Sequence, residues 1–212
     1  MHRTLTLIAA LAAAAPALAD VQITEWMYNG NEFVEFTNLG PTAVDFTGWS
    51  YDDDSRTPGV ISLSAFGSVA AGESVILAEL SATDFRANWN LDASVKVIGG
   101  NTANLGRNDE INLFDATGAL VDRLSYGDQN FPGSIRTQAD SGNPTSLAML
   151  ADSNSAGWVL SLPGDSFGSV ISADGAFVAN PGSFALAVPE PASVALLLAG
   201  LGVVGAAARR RA

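Results

Sequence analysis

Turn-forming residues recur at short intervals from residue 20 to about residue 127, and this spacing leaves room for short β-strands only. Asn29-Gly30-Asn31 supplies the positive-φ residues that a tight hairpin needs. Asp115-Ala116-Thr117-Gly118 predicts a second hairpin, which leads into a strand from Leu120 to Tyr126. Short strands separated in this way favour an all-β sandwich.

Residue patterns predict some details of this sandwich. The two faces of the first strand, Val21 to Tyr28, would carry Val21, Ile23 and Glu25 on one side and Gln22, Thr24 and Trp26 on the other. A short helical insertion is expected around Phe85 and Trp89, because they lie four positions apart. Trp49 and Trp158 are expected to fill the core.

The C-terminal end has the features of a membrane-spanning segment. Residues 192–208 carry no charge over 17 positions, and a helix of that length spans about 25 Å, the lower limit for crossing a bilayer. Arg209, Arg210 and Arg211 follow directly, and basic residues stay on the cytoplasmic side. Everything before Pro189 would therefore lie outside the membrane.

Val188-Pro189-Glu190-Pro191 stands where this apolar segment begins. Together with the Gly- and Leu-rich span and the terminal arginines, it resembles the PEP-CTERM sorting signal of Gram-negative bacteria. The resemblance implies that exosortase, a membrane transpeptidase-like enzyme, processes the protein near this motif. An ordinary C-terminal membrane anchor is the alternative interpretation.

The N-terminal end predicts export as well. A short basic segment precedes an apolar run from Leu5 to Ala15, and Ala17-Leu18-Ala19 forms a small-x-small cleavage site. We therefore expect a Sec-type signal peptide over residues 1–19 and a folded domain over residues 20–183. A linker and the sorting signal would occupy residues 184–212.

The composition of the mature chain excludes several classes of function. Between Asp20 and Val188 there are six basic and 21 acidic residues, a formal net charge of −15, which disfavours nucleic-acid partners. The chain has no cysteine, and its one histidine, His2, would leave with the signal peptide. Ser-His-Asp triads and His-ligated zinc sites are therefore excluded. The one lysine, Lys96, is expected to discourage pairing at a strand edge rather than to serve a Ser-Lys dyad.

Acidic residues remain as candidates for chemistry. A pair of carboxyl groups can hydrolyse glycosidic bonds without other catalytic groups. The candidates on or beside predicted strands are Glu25, Glu32, Glu35, Asp109 and Glu110. Asp52, Asp53 and Asp54 form the densest charge cluster and are weak candidates for binding calcium, since hard cations take oxygen ligands. No other cofactor is expected, and a solvated acidic loop is the alternative for this cluster.

Several segments together resemble the lamin tail domain family. They are Glu25 to Tyr28, Asn31 to Asn38, Val44 to Trp49, Asn108 to Leu113 and Val121 to Tyr126. The resemblance covers residues 21–127 well and implies an immunoglobulin-like β-sandwich without a catalytic set. We expect Glu35 and Asn38 to fix the turn between neighbouring strands, and Asp109 or Glu110 to hydrogen-bond a loop amide. Residues 128–187 would supply a last strand and then a flexible stalk.

These patterns predict a non-enzymatic protein that is exported, anchored in the inner membrane before processing, and then located at the cell surface or outside the cell. Its partners would be exosortase, the membrane through the C-terminal helix, and an extracellular polysaccharide or surface protein, for example in a biofilm. Two alternatives remain open. They are a carboxylate-dependent glycan hydrolase and a calcium-assisted carbohydrate-binding module, each delivered by the same route.

Overall fold

The computed structural model describes residues 20–129 and 131–186. The β-strands found there are β1 (Val21–Met27), β2 (Phe33–Asn38), β3 (Val44–Asp45), β4 (Ser50–Asp52), β5 (Ile61–Ser62), β6 (Ser68–Val69), β7 (Ser74–Ala78), β8 (Lys96–Ile98), β9 (Asn108–Phe114), β10 (Leu120–Gly127), β11 (Gly142–Asn143), β12 (Val159–Leu160), β13 (Val170–Ile171) and β14 (Val178–Ala179). The helices are the α-helix α1 (Ala82–Trp89) and the 3₁₀-helices Ser64–Phe66 and Leu147–Ala151. The predicted signal peptide and sorting signal lie outside the described residues.

Two sheets face each other across one main core. The six-stranded sheet has the order β12-β11-β1-β2-β7-β8, and the four-stranded sheet has the order β10-β9-β4-β5. Neighbouring strands in both sheets are antiparallel, except that β7 and β8 are parallel. Two ribbons, β3 with β6 and β13 with β14, lie outside these sheets. The predicted all-β, immunoglobulin-like sandwich is therefore confirmed.

The first hairpin joins β1 to β2 as the sequence predicts, with Met27 opposite Phe33. Gly30 in its turn has a φ of 82°, which favours glycine. The turn also packs closely against a later part of the chain, because a Cβ atom on Gly30 would lie 2.0 Å from the ring of Phe177. Glycine at this position is thus required for both backbone conformation and space.

A β-bulge in β1 changes the faces predicted for that strand. Ile23 pairs with Phe36, but the next pair is Glu25 with Glu35, so Thr24 is the extra residue. One additional residue reverses the alternation of every side chain that follows. Trp26 therefore joins Ile23 in the core, and Glu25 turns to the outer face. The predicted placement of Trp26 and Glu25 on β1 was wrong for this reason.

Trp26 lies at the centre of the core, where it is fully buried. Its ring contacts Tyr126 of β10 at a centroid distance of 5.2 Å and the buried Trp158 at 5.1 Å. The predicted role of Trp158 in closing the sandwich is confirmed. Trp49 is only half-buried and stacks on the fully buried Phe46 at the margin of the core, with 4.5 Å between ring centroids.

The outer face of the six-stranded sheet is covered by a second apolar cluster. Helix α1 places Phe85 on this face, where its ring meets Phe33 edge-on with centroids 5.4 Å apart. Ser81 caps the helix by accepting a hydrogen bond of 3.1 Å from the Asp84 amide. The predicted helical insertion, with Phe85 and Trp89 both buried, is confirmed.

The segment after β10 packs against the sandwich rather than forming a stalk. Strands β11 and β12 extend the six-stranded sheet beyond β1. Residues 177–183, which we call the C-terminal strap, then cross the outer face of that sheet, with Ala179 in the second apolar cluster. Phe184 packs against the main core. The expected flexible stalk is therefore absent from the described residues up to Phe184.

Candidate functional site

A shallow pocket of about 440 Å³ opens at one end of the four-stranded sheet. We call it the acidic pocket. Its lining residues come from the β4–β5 loop, the start of β9, the end of β10 and the segment that follows β10. They are Asp54, Arg56, Asn108, Asp109, Glu110, Ser125, Tyr126 and Phe131. The volume lies within the range of small-molecule pockets.

Arg56 and Glu110 form an ion pair across this pocket. The guanidinium of Arg56 donates from Nε and Nη2 to the two carboxylate oxygens of Glu110, with a distance of 2.7 Å for the Nε bond. The side chain of Glu110 is 16% exposed, and Ser125 donates a further hydrogen bond of 3.1 Å to it. The hydrogen bond from Arg56 lowers the pKa of Glu110, which therefore stays ionised.

The backbone of Arg56 has a φ of 55°, an uncommon left-handed conformation for a residue with a side chain. Asp52 shapes this loop from below, since its buried carboxylate accepts hydrogen bonds from the Ser55 hydroxyl at 2.7 Å and the Thr57 amide at 2.8 Å. The loop thus directs Arg56 toward β9. Strain of this kind is concentrated at functional sites.

Asp109 lies next to Glu110 but is held differently. Its two carboxylate oxygens accept hydrogen bonds from the amides of Gly106 at 2.6 Å and Glu110 at 2.9 Å. The prediction that one of these acids binds a loop amide is confirmed for Asp109. Burial raises the pKa of Asp109, whereas Arg56 lowers that of Glu110, so adjacent acids of one pocket are shifted in opposite directions.

Two aromatic residues and an amide complete the pocket. Tyr126 is buried, and its hydroxyl donates to the carbonyl of Gly106 at 3.0 Å. The ring of Phe131 is half-buried at the pocket margin. The Asn108 side chain donates to Gln129 at 2.9 Å. The lining therefore combines aromatic side chains, carboxylates and a side-chain amide.

A family model for the Lamin Tail Domain matches residues 14–128, more than half of the chain. The chain belongs to the lamin tail domain family. A model for the PEP-CTERM protein-sorting motif matches residues 187–211. The protein is accordingly made as a membrane-associated precursor that exosortase processes for export. No curated protein matches the chain.

The lamin tail domain match ends at residue 128, whereas the folded structure continues through the strap. The acidic pocket lies within the matched region, except for Phe131. The predicted sorting residues Val188, Pro189, Glu190 and Pro191 and the basic residues Arg209, Arg210 and Arg211 lie outside the described residues. Within the part of the chain that is described, no helix is both long and apolar enough to span a bilayer.

Asn38 has the turn-fixing role that was predicted within the lamin tail domain. Its amide nitrogen donates to the carbonyls of Thr42 at 2.8 Å and Val69 at 3.0 Å, and its oxygen accepts from the Gly40 amide. Glu35 has a different role from the one expected. It is fully buried beneath the strap, where it accepts hydrogen bonds from Thr24 and from the amide of Gly182.

The candidate acids do not form one site. Glu25, Glu32 and Glu35 are buried inside the lamin tail domain, and only Asp109 and Glu110 reach the acidic pocket. Glu32 accepts a hydrogen bond of 3.0 Å from the Leu105 amide, and burial raises its pKa to about 8. These interior carboxyl groups are out of reach of a polysaccharide chain.

The calcium candidates are also separated. The carboxylate of Asp52 holds its own loop, whereas Asp54 is exposed and lines the acidic pocket. Across residues 20–129 and 131–186, no three acidic, histidine or cysteine side chains group closely enough to hold a metal ion. Calcium binding by Asp52, Asp53 and Asp54 stays a prediction.

Lys96 lies on β8, at the edge of the six-stranded sheet, as expected for a residue that discourages strand pairing. Its ammonium group pairs with Glu73 at 2.9 Å and also contacts the Ser68 carbonyl. Sequence reasoning missed the acidic pocket and the strap. Nothing in the sequence around Arg56 indicated a pocket residue. Arg56 and Glu110 are 54 positions apart in the sequence, and only the folded loop brings them into contact.

Proposed function

We propose that this lamin tail domain protein is a non-enzymatic module of the cell surface or extracellular matrix, which binds extracellular polysaccharide through the acidic pocket. The observation that carries the proposal is the pairing of the pocket acids. Glu110 is bound by Arg56, and both oxygens of Asp109 are bound by amides. Acids held in this way form a rigid polar surface suited to sugar hydroxyls rather than to proton transfer.

The negative charge of the protein limits which classes of polysaccharide can bind to the pocket. The pocket carries three acids, Asp54, Asp109 and Glu110, against one arginine, Arg56, and the mature chain has a formal net charge of −15. Polymers rich in uronate, sulfate or phosphate would be repelled. Neutral polymers, or polymers with ammonium groups on their sugars, are compatible with this surface. Phe131 supplies an aromatic side chain in the lining, against which a sugar ring can pack.

A specific observation favours one alternative, the carboxylate-dependent glycan hydrolase. Asp109 and Glu110 share a pocket, and the pKa of Asp109 is raised while that of Glu110 is lowered. An acid and a base with separated pKa values are what glycoside hydrolysis requires. The non-enzymatic proposal is preferred because each oxygen of Asp109 already accepts a backbone hydrogen bond, and a proton on either oxygen would compete with one of them.

Binding can be tested by affinity electrophoresis of the exported protein in gels that contain one polymer each. The polymers would be a neutral glucan, a glucosamine polymer with free amines, and a uronate polymer. We expect retardation by the first or second polymer and none by the third. Asp54→Asn and Phe131→Ala should each weaken binding about tenfold, whereas Glu79→Gln, at an exposed acid outside the pocket, should not.

Release of reducing ends separates the two functions. No release is expected from the wild-type protein with any of these polymers. Release that disappears in both Asp109→Asn and Glu110→Gln would establish the hydrolase instead. Failure of all three polymers to retard the protein would overturn polysaccharide binding. A gain in retardation on adding calcium, lost in Asp54→Asn, would support the calcium-assisted module.

A further inference from the structure

Two glutamates face each other on the outer side of the six-stranded sheet. Glu25 of β1 pairs directly with Glu35 of β2, and both side chains have no exposed surface. The bulge at Thr24 creates this pair, because without the extra residue Glu25 would point into the sandwich core. Directly opposed residues place their Cβ atoms about 5 Å apart.

Glu25 is held by donors from two later segments. Its Oε1 atom accepts hydrogen bonds from the Ser141 hydroxyl and from the Asn180 amide, the latter at 2.9 Å. Asn143 donates to the hydroxyl of Ser161, which lies 2.6 Å from that of Ser141. The other carboxyl oxygen of Glu25, Oε2, is buried without a hydrogen-bond partner.

Glu35 has a matching set of contacts. Its Oε1 atom accepts hydrogen bonds from the hydroxyls of Thr24 at 2.8 Å and Thr37 at 3.3 Å. Its Oε2 atom accepts a hydrogen bond of 2.6 Å from the amide of Gly182. Asn180 and Gly182 both belong to the strap, so each glutamate holds one strap amide.

No cation offsets these two acids in the part of the chain that is described. The ion pairs found among residues 20–129 and 131–186 involve Arg56, Lys96, Arg107 and Arg123 with other acids. The charged groups that face Glu25 are Glu35 from β2 and Asp165 from the β12–β13 loop, both negative. Burial, and then the charge of Glu35, raises the pKa of Glu25, and burial also raises that of Glu35.

We propose that Glu25 and Glu35 form a proton-dependent latch for the C-terminal strap. When the strap is seated, the pair is shielded from water and holds a proton. When the strap lifts, water reaches both carboxyl groups and the proton leaves. Alkaline conditions therefore favour release of the strap, and neutral to acidic conditions favour the seated state.

The latch acts on the segment that leads to the sorting motif. Gly182 lies six positions before Val188, and six extended residues reach about 20 Å. A seated strap therefore limits the distance between the β-sandwich and the motif to about that length. Release of residues 177–183, together with Phe184, which packs against the main core, lengthens this connection. The latch would set how closely the domain is held to the membrane before processing.

Hydrogen exchange at the amides of Asn180 and Gly182, followed by NMR on the exported protein, tests the latch. The measured quantity is the protection factor, which removes the intrinsic pH dependence of exchange. We expect it to fall by up to tenfold per pH unit as the pH rises above 4.5, the ordinary glutamate pKa, because one proton is linked to seating and burial raises the pKa of both acids. Amides of β9 should show a weaker dependence.

Glu25→Gln is the decisive variant, because a neutral amide replaces the protonated acid with little change in shape. It should keep the strap seated and remove most of the pH dependence. Glu32→Gln is the matched control, because it changes another buried acid that does not touch the strap. This variant should retain the pH dependence of protection at the strap amides. Ser141→Ala removes one hydrogen-bond donor to Glu25 and should weaken the protection of the two strap amides at every pH. This variant provides a second test if Glu25→Gln does not fold.

Three results would overturn the latch. Protection of the two strap amides that does not change with pH in the wild-type protein is the first. The second is an unchanged pH dependence in Glu25→Gln. The third is a rise in protection on adding calcium that EDTA reverses, since the pair would then hold a cation in place of a proton.

Discussion

The outer face under the strap and the acidic pocket both contain a pair of acids on strands, but the two regions neutralise them differently. Under the strap, Glu25 and Glu35 are fully buried, and their pKa values are raised. In the pocket, Glu110 is paired with Arg56 and its pKa is lowered. One region stores a proton, whereas the other holds a fixed charge.

This difference separates acids that hold the fold together from acids that lie at a surface pocket. A buried carboxyl group without a cation is costly unless hydrogen bonds satisfy it, and the donors around Glu35 come from three segments that it thereby ties together. An ion pair at a surface stabilises the fold little. The strap region therefore ties distant segments together, whereas the pocket presents a fixed charge at the surface.

The largest effect is expected from removing one acid of the strap region. Glu35→Ala leaves the Gly182 amide and two hydroxyl groups without their acceptor, and it opens a cavity. Relief of the repulsion from Glu25 offsets part of this cost. We expect a loss of about 2–3 kcal/mol in the free energy of unfolding, measured by urea denaturation.

Glu110→Ala is the matched control in the acidic pocket. Its ion pair with Arg56 joins a side chain that is 56% exposed, so its loss should change the free energy of unfolding by less than about 1 kcal/mol. Equal losses in the two variants would show that the strap region and the pocket do not differ as described.

Local patterns in the sequence predict much of the fold. The hairpin at Gly30, the helix with Phe85 and Trp89, and the core position of Trp158 all depend on neighbouring residues or on size and apolarity. The turn-fixing role of Asn38 was also predicted, because Asn38 belongs to the segments that resemble the lamin tail domain. These are features that a sequence states directly.

The remaining features depend on contacts between distant segments. The bulge at Thr24 could not be read from alternation, since it reverses the faces of a strand that is buried on both sides. Glu35 meets Gly182 across 147 positions, and Arg56 meets Glu110 across 54. Gly- and Ser-rich composition suggested a stalk, although tertiary contacts of those residues order the strap.

The second effect concerns pH. Burial raises the pKa of Glu32 from its ordinary value of 4.5 to about 8 in the folded protein. The folded state thus holds this proton more tightly than the unfolded state. The corresponding stability is fully present below about pH 4.5 and is lost as the pH rises through about 8. We expect a loss of about 1–2 kcal/mol over this range, allowing for partial solvent screening.

Chemical denaturation at a series of pH values checks this expectation. Glu32→Gln should flatten the decline toward alkaline pH. The acidic pocket should behave in the opposite way, because a lowered pKa makes the contribution of Glu110 disappear as the pH falls, and Glu110→Gln should reduce that acid-side loss. A Glu32→Gln curve that declines as steeply as the wild type would contradict the assignment.

The smallest expected effect is the difference in stability between alanine substitutions at two glycines. One glycine lies in the strap, and the other lies in the β4–β5 loop beside the pocket. Gly182 and Gly59 have φ values of 88° and 89°, so alanine is strained equally at both. Only at Gly182 would the new Cβ meet a neighbour, 3.1 Å from Val95, whereas the space around Gly59 is open.

Gly59→Ala should cost about 1 kcal/mol through backbone strain alone. Gly182→Ala should cost about 1 kcal/mol more, because it also lifts the amide bound to Glu35. Equal midpoints in urea for the two variants would mean that the strap packs no more tightly than the loop.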